Sequence, residues 1–228
     1  MSRIELLDHG YVFDVDIWGS DECIIESARM STSKGFQGWG TTEAPGDEKL
    51  LKFMYSRRHS SPFEFAGATF EVQAPIFTFR EWHRHRTFSY SELSARYTPL
   101  PDMNYVPTVE RLMRNSKTNK QAGTVAGSRV MTEKHAEEYQ EVLRQHYRTD
   151  QEVYEYALLA GVPKELARCH LPVGRYSRMR VSGNLRNYLQ FLTLRMAPNA
   201  QEEIRVYANA IASILTDRFP RVMELFLA

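Results

Sequence analysis

Residues 84–97 read Arg-His-Arg-Thr-Phe-Ser-Tyr-Ser-Glu-Leu-Ser-Ala-Arg-Tyr, which crowds Arg84, His85, Arg86 and Arg96 around a run of hydroxyl side chains and one acid, Glu92. The apolar Phe88 and Leu93 are too few for a segment whose main task is to fill a core. Arginine suits phosphate because its planar fork donates two parallel, charge-assisted hydrogen bonds. With Arg168, Arg178, Arg186 and Arg195 further on, the chain carries more arginine than one small phosphate needs. An arginine taken at random is a solvated surface residue. That reading is weaker for Arg84 and Arg86, which follow an apolar helical pattern, and for Arg195, which closes one. Ser94 stands between Glu92 and Arg96. Without a base and an oxyanion hole, a serine so placed is a hydrogen-bonding ligand before it is a nucleophile.

The elements around these residues read as mixed α and β. Residues 21–30 begin with an acid and carry Ile24, Ile25 and Ala28 at helical spacing. Residues 44–58 have Pro45 and acids early and arginine late, as a helix dipole favours. Residues 65–74 are rich in strand formers, with Phe70 and Val72 on one face. Residues 75–86 predict a helix with Pro75 in its first turn and Ile76, Phe79 and Trp82 or His83 along one side, so that the Arg84–Arg86 cluster begins at its C-terminal end. The segment 98–130, with three prolines and a polar, glycine-containing centre, predicts a long excursion with mobility of its own. Residues 132–160 form one helical pattern between a Thr132 cap and a Gly161 stop. A short helix after Pro163, a strand over 173–183 with alternating basic residues, and helices over 184–195 and 200–219 complete the reading.

The 228 residues suffice for one large domain with a real core or for two small ones. Twenty-nine basic against 28 acidic residues leave a formal charge of +1, so any anion site is built by local clustering. A phosphate-gripping nucleotide- or RNA-binding module is the competing class. The near-zero charge and the absence of RNP, zinc or Gly-rich signatures count against it, and no nucleic-acid partner is expected. Two cysteines, Cys23 and Cys169, argue against a disulfide scaffold or a Cys-rich metal site and fit a reducing compartment. No stretch approaches the ~20 apolar residues that span a bilayer, and the N-terminus has no signal-peptide pattern. A cytoplasmic location without membrane attachment is the expectation.

Arg84-His85-Arg86, seven residues, then Ser94 resembles the signature of the flavin-dependent thymidylate synthases, and Arg96-Tyr97 extends the match. Three further segments resemble that family in the same order: His-Ser-Ser-Pro-Phe-Glu-Phe (59–65), Lys-Glu-Leu-Ala-Arg-Cys-His-Leu-Pro (164–172), and the Asn184-Leu185-Arg186 helix ending at Arg195. Together they cover most of the chain.

The resemblance implies a mixed α/β (α+β) fold, one domain over 1–228 with a central sheet flanked by helices, assembled as a homotetramer. It implies reductive methylation of dUMP to dTMP, with methylenetetrahydrofolate as one-carbon donor and NADPH reducing through FAD. It places His59, Ser61, Arg84, His85, Arg86, Glu92, Asn184, Leu185, Arg186 and Gln190 at the flavin. Glu81, Arg84, Glu92, Leu93, Ser94, Ala95, Arg96, Arg168 and Arg195 fall at dUMP, with each pocket drawing residues from several subunits. No metal is implied. A helix beginning at Asn184 adds free N–H groups for an anion or for flavin oxygens.

Arg195 is the residue expected to act on uracil. C5 becomes nucleophilic when electron density is pushed round the ring from N3, and a guanidinium beside N3 and a carbonyl stabilises that anion. Taken without the motif, Arg195 reads as a helix-ending residue bonded to the last carbonyls. Cys23 lies in an apolar helical pattern and Cys169 has no evident activating base, so the cysteine-nucleophile route of the unrelated thymidylate synthases is unsupported. Four positions depart from the family pattern: Gln190, Phe65, Ser91 and Glu81 stand where His or Asn, His, Asn and Gln are frequent. Of these, Glu81 poses an electrostatic problem. Two unit charges at ~4 Å interact by roughly 4 kcal/mol at an effective dielectric of about 20, so a carboxylate near a phosphate needs a cation of its own. Arg84, three residues on, is the expected partner.

Overall fold

Five strands pair antiparallel in the order β1 (Arg3–Leu6), β2 (Gly10–Trp18), β3 (Gly67–Pro75), β5 (Tyr176–Asn184), β4 (Ser89–Glu92) in the computed structural model, which describes residues 2–41, 43–116, 119–124 and 127–228. The two-residue period of β3 sends Ala68, Phe70, Val72 and Ala74 to one face, where all four are buried. Thr69, Glu71 and Gln73 take the other. In β5 the buried Met179 and Val181 alternate with exposed Arg178 and Arg180. The register sets apolar against apolar and acid against base: Phe70 opposite Val181, Val72 opposite Met179, and Glu71 opposite Arg180. The alternating basic strand expected over 173–183 is thus half of a two-faced sheet.

Helices α7 (Leu185–Arg195) and α8 (Glu202–Arg218) pack on the apolar face. Leu185, Tyr188, Phe191 and Leu192 recur at helical spacing along α7 and are fully buried, as are Ile204, Tyr207, Ala208, Ile211 and Leu215 along α8. Tyr207 fastens α8 to β3 by donating to the Gln73 carbonyl at 2.7 Å. Helices α1 (Asp21–Arg29) and α2 (Glu48–Ser56) and the C-terminal α9 (Pro220–Leu227) close the end of this layer. Asp21, at the start of α1, caps α9 by accepting from Arg221 N at 2.8 Å. Helix α2 begins later than its proline and acids suggest. Asp47 has turned inward, where its buried carboxylate accepts from Arg29 Nε at 2.9 Å and Gln37 N at 2.7 Å.

Helix α3 (Ile76–Trp82) is shorter than the sequence predicts at both ends. Pro75 pairs with Tyr176 as the last residue of β3 and has extended backbone, so the helix starts one residue later. At the other end Trp82 stacks on Phe191 of α7, with centroids 4.9 Å apart and planes 21° from parallel. This contact lays the C-terminal ends of α3 and α7 side by side.

The excursion over 98–130 is anchored through its first half. Tyr105 N donates to Gly174 O at 2.9 Å, Val106 N to Asp8 Oδ2 at 2.9 Å, and Tyr105 OH to Glu203 Oε1 at 2.9 Å. A short helix, α4 (Val109–Met113), then brings Arg111 Nε to the same carboxylate at 2.8 Å. Residues 98–116 are thus tied to the rest of the fold, with Tyr105 and Arg111 supplying partners to the buried Glu203 of α8. Residues 117, 118, 125 and 126 lie outside the described residues. Helix α5 (Glu133–Leu159) follows with Thr132 accepting from His135 N as its cap, then α6 (Lys164–Ala167). Among the described residues no helix is long and apolar enough to cross a membrane. Strands β1, β2 and β4 and helix α9 had no counterpart in the sequence reading.

Candidate active site

Arg195 leaves the last turn of α7 and crosses to α3. Its Nε donates to His85 Nε2 at 2.9 Å, one terminal nitrogen donates to the Glu81 carboxylate, and the other donates to the Glu81 main-chain carbonyl at 2.8 Å. The guanidinium is mostly buried, with 16 % of the side chain exposed. An ordinary helix-ending arginine would spend these donors on carbonyls of its own helix; this one spends them on a neighbour. Three of its five N–H groups are committed and two are left.

His85 accepts at Nε2, so its proton sits on Nδ1 and the ring is neutral. Burial and the adjacent Arg195 charge push its pKa down to about 4, against the opposing pull of Glu81. The ring meets Phe191 edge-on at 5.0 Å. Tyr90 of β4 locks the turn beneath it, its hydroxyl lying 2.9 Å from Trp82 O and 2.8 Å from His85 O. Glu81 thus does have an arginine partner, but it is Arg195 and not Arg84. The expected i,i+3 pairing requires a continuing helix, and α3 ends at Trp82, which leaves Arg84 in the turn beyond it.

A second group forms after β4. Leu93 N donates to Arg178 O at 2.7 Å, prolonging the ladder by one residue. The chain then turns about Ser94, whose carbonyl accepts from Tyr97 N at 3.0 Å and whose Oγ accepts from Arg96 N at 3.3 Å. Lys164 of α6 donates to Tyr97 O at 2.9 Å. Glu165 holds Arg96 through its carboxylate at 3.3 Å and Arg168 through its carbonyl at 3.4 Å. Glu165 thus links Arg96 of the Ser94 turn to Arg168, and Ala95 within that turn is buried. Lys164 and Glu165 lie inside the Lys-Glu-Leu-Ala-Arg segment, and the sequence reading had assigned them no role. Among the described residues no base touches Ser94 Oγ. A cleft of about 400 Å³ opens beside this group between Leu93, Thr98, Gln73 and Arg178.

The third group lies where β3 and α7 begin. A single 3₁₀ turn, Ser61–Phe65, presents Ser61 and Glu64 to solvent, and Glu64 pairs with Arg186. His59 packs edge-on against Phe53 at 5.4 Å. The start of α7 is less open than the sequence suggests. Asn184 Oδ1 accepts from Asn187 N at 3.0 Å, and Leu185 N donates to Ala66 O at 2.7 Å. Leu185 sends its side chain into the core, while Arg186 and Gln190 form an exposed stripe one helical turn apart. Asn187 Nδ2 donates to Thr87 O at 3.0 Å and ties this end of α7 to the Arg84–Phe88 turn. Arg84 and Arg86 project from that turn, exposed, and neither makes a side-chain hydrogen bond or ion pair among the described residues. Glu92 is also exposed.

Apart from Glu92, which ends β4, each sequence-predicted residue falls into one of three groups or on the turn between them. No side chain of one group bonds to a side chain of another among the described residues. A separate cleft of about 400 Å³ between α4, α5 and α8, lined by Tyr105, Arg111, Tyr147 and Glu203, contains none of them.

A family model described as thymidylate synthase complementing protein matches residues 15–221. A flavin-dependent thymidylate synthase of Thermotoga neapolitana is 36% identical over 225 residues, covering 99% of this chain and 94% of the relative. One of Thermus thermophilus is 39% identical over 223 residues, covering 98% of this chain and 77% of the relative. Among solved structures, the UMP/dUMP methylase PolB of Streptomyces cacaoi bound with 5-Br UMP superposes with a TM-score of 0.82 at 32% identity. That match covers 98% of this chain and 96% of PolB.

Proposed function

The chain belongs to the flavin-dependent thymidylate synthase family, and from that premise we propose that it methylates dUMP to dTMP with methylenetetrahydrofolate as one-carbon donor, NADPH as reductant and FAD as resident cofactor. The active form is a homotetramer of the single domain 1–228, in which each pocket collects the three groups from different subunits. Their separation within one chain supports this reading.

The donor set fits the flavin dinucleotide. Arg84 and Arg86 are exposed cations without a carboxylate partner among the described residues, and Ser61, Arg186 and Gln190 face solvent nearby in the chain's motifs. Unpaired guanidinium forks match a diphosphate. His59, His85, Glu92, Asn184 and Leu185 complete the flavin side, with Leu185 limited to its backbone because its side chain is buried. When bound, the flavin supplies the redox chemistry that passes reducing equivalents from NADPH.

On the nucleotide side, Ser94, Arg96 and Arg168 hold the phosphate, and Glu92, Leu93, Ala95, Arg84 and Glu81 frame the same pocket. Ser94 Oγ already accepts a hydrogen bond from Arg96 N, which leaves its proton free to be donated to a phosphate oxygen. Arg195 binds the uracil at N3 and the adjacent carbonyl. It keeps its own charge and stabilises the negative charge that develops as density moves towards C5. The carrying observation is the guanidinium held by Glu81 and His85 with two N–H groups to spare.

The purified protein is expected to be yellow, to release FAD on denaturation, and to form dTMP only when dUMP, the folate and NADPH are all present. A colourless protein that takes up no FAD refutes the reading.

A further inference from the structure

We propose that Glu81 is a positioning residue for Arg195: it aims the two uncommitted N–H groups at the uracil ring and does not bind the nucleotide phosphate. The proposal rests on the reading of Arg195 as the uracil ligand.

The hold has two parts of different origin. Helix α3 ends at Trp82, so the Glu81 carbonyl is among the last-turn acceptors that have no partner within the helix. Arg195 supplies that partner at 2.8 Å, which makes it a cap on α3 as well as the end of α7. This bond belongs to the main chain and survives any side chain at position 81. The carboxylate is the second part. It grips the other terminal nitrogen, while His85 takes Nε at 2.9 Å. A planar group held by one acceptor can still swing about that bond. Acceptors at all three nitrogens fix both its position and its plane. His85 serves here only because it is neutral, since an imidazolium has no acceptor to offer.

The same contacts argue against a phosphate role. The Glu81 carboxylate is already engaged with the mostly buried Arg195 guanidinium, so it would reach a phosphate only by giving up that ion pair, whichever subunit supplies Ser94, Arg96 and Arg168. A carboxylate added to that anion site would oppose binding. One joined to Arg195 supports the geometry of an adjacent cation instead.

Four variants of the FAD-loaded holoenzyme test this: Glu81→Ala, Glu81→Gln, Arg195→Ala and the Glu81→Ala/Arg195→Ala double variant. Glu81→Ala is expected to lower kcat about tenfold with flavin content unchanged and dUMP affinity, by calorimetry, within about threefold of the parent. Glu81→Gln keeps an acceptor of the same reach and should recover most of the lost kcat. The double variant should be no slower than Arg195→Ala, because Glu81 acts through that arginine. An unchanged kcat in Glu81→Ala overturns the proposal. So does a tenfold change in dUMP affinity with kcat preserved, an additive double variant, or a Glu81→Gln as slow as Glu81→Ala. If Glu81→Ala does not fold, Glu81→Met, similar in length but without the acceptor, takes its place with the same expectations. Normal turnover in Arg195→Ala would instead refute the role of Arg195 itself, which separates that failure from failure of the Glu81 assignment.

Discussion

Three side chains, Arg195, Glu81 and His85, carry the chemical argument because their contacts specify protonation as well as position. Truncating Arg195 to Ala should cost turnover on the order of a hundredfold or more, the scale of a lost oxyanion donor, while flavin content holds. Arg195→Lys should recover only part, since a point charge cannot serve two acceptors of a planar ring and three of the protein. Steady-state kinetics with absorbance of bound FAD checks both. Ser94→Ala should weaken dUMP binding and leave measurable synthesis; a Ser94–nucleotide adduct in the mass spectrum of quenched enzyme would contradict its role as a ligand. His85 adds a pH dependence. Its pKa falls from the ordinary 6.5 to about 4 on folding, so between those values the unfolded chain binds a proton that the native state does not. Stability should therefore drop as pH falls from about 6.5 towards 4, and level off with respect to this group below that. In His85→Gln the difference in melting temperature between pH 7 and pH 5 should be smaller than in the parent. An equal or larger difference would rule out the imidazole as a source of acid sensitivity.

At the level of elements, the site depends on how tightly α7, β5 and the Arg84–Phe88 turn are packed. Phe88 lies over Gly183 and against Tyr188, its ring centroid 4.7 Å from the tyrosine's. A Cβ placed on Gly183 would come within 2.2 Å of Phe88 Cδ1, too close for any carbon pair. Phe88 is buried, so it cannot step aside into solvent without taking the turn with it. Gly183→Ala should cost about 1–3 kcal/mol of stability, the usual range for overpacking. It should also reduce FAD uptake, because Arg84 and Arg86 ride on the displaced turn. Urea denaturation and flavin titration measure the two effects, and wild-type values in both would show that the turn adjusts freely.

For the whole molecule, the three residue groups need more than one chain to form a pocket in the proposed assembly. Ligand binding and association are then linked, and a ligand at a hundred times its Kd adds about 2.7 kcal/mol to the state that binds it. Dilution should release flavin, and added FAD should hold the oligomer together at lower protein concentration. Light scattering with simultaneous flavin absorbance tests this; a monomer that retains FAD tightly would break the link. Residues 98–116 are anchored by Tyr105, Arg111 and Glu203. Burial pushes the Glu203 carboxyl up, but hydrogen bonds from Arg111 and Gln201 outweigh it and leave the group below the ordinary carboxylate range. The acid is charged inside the protein and secures the excursion to α8.

Local pattern was enough to show where the long helices lie and that Phe70 and Val72 share the buried face of a strand, and to single out Arg84–Arg86, Ser94 and Arg195 as the site candidates. Periodicity and motif spacing are short-range properties, and so they can be read along the chain. Strand β4 was hidden because Ser89–Glu92 is polar and sits at a sheet edge, where only backbone pairing with β5 defines it. The early start expected for α2 failed because Asp47 serves Arg29 and Gln37 instead of the helix. Free N–H groups at the start of α7 were overestimated because Ala66, far back in the chain, claims one of them. The partner of Glu81 depended on the stacking of Trp82 on Phe191, a contact between residues more than a hundred positions apart. Which residues can do chemistry was a matter of residue type and spacing. Which of them face one another was decided by packing, because side chains from α3, α7 and β4 meet only once the apolar faces of those elements have been buried together.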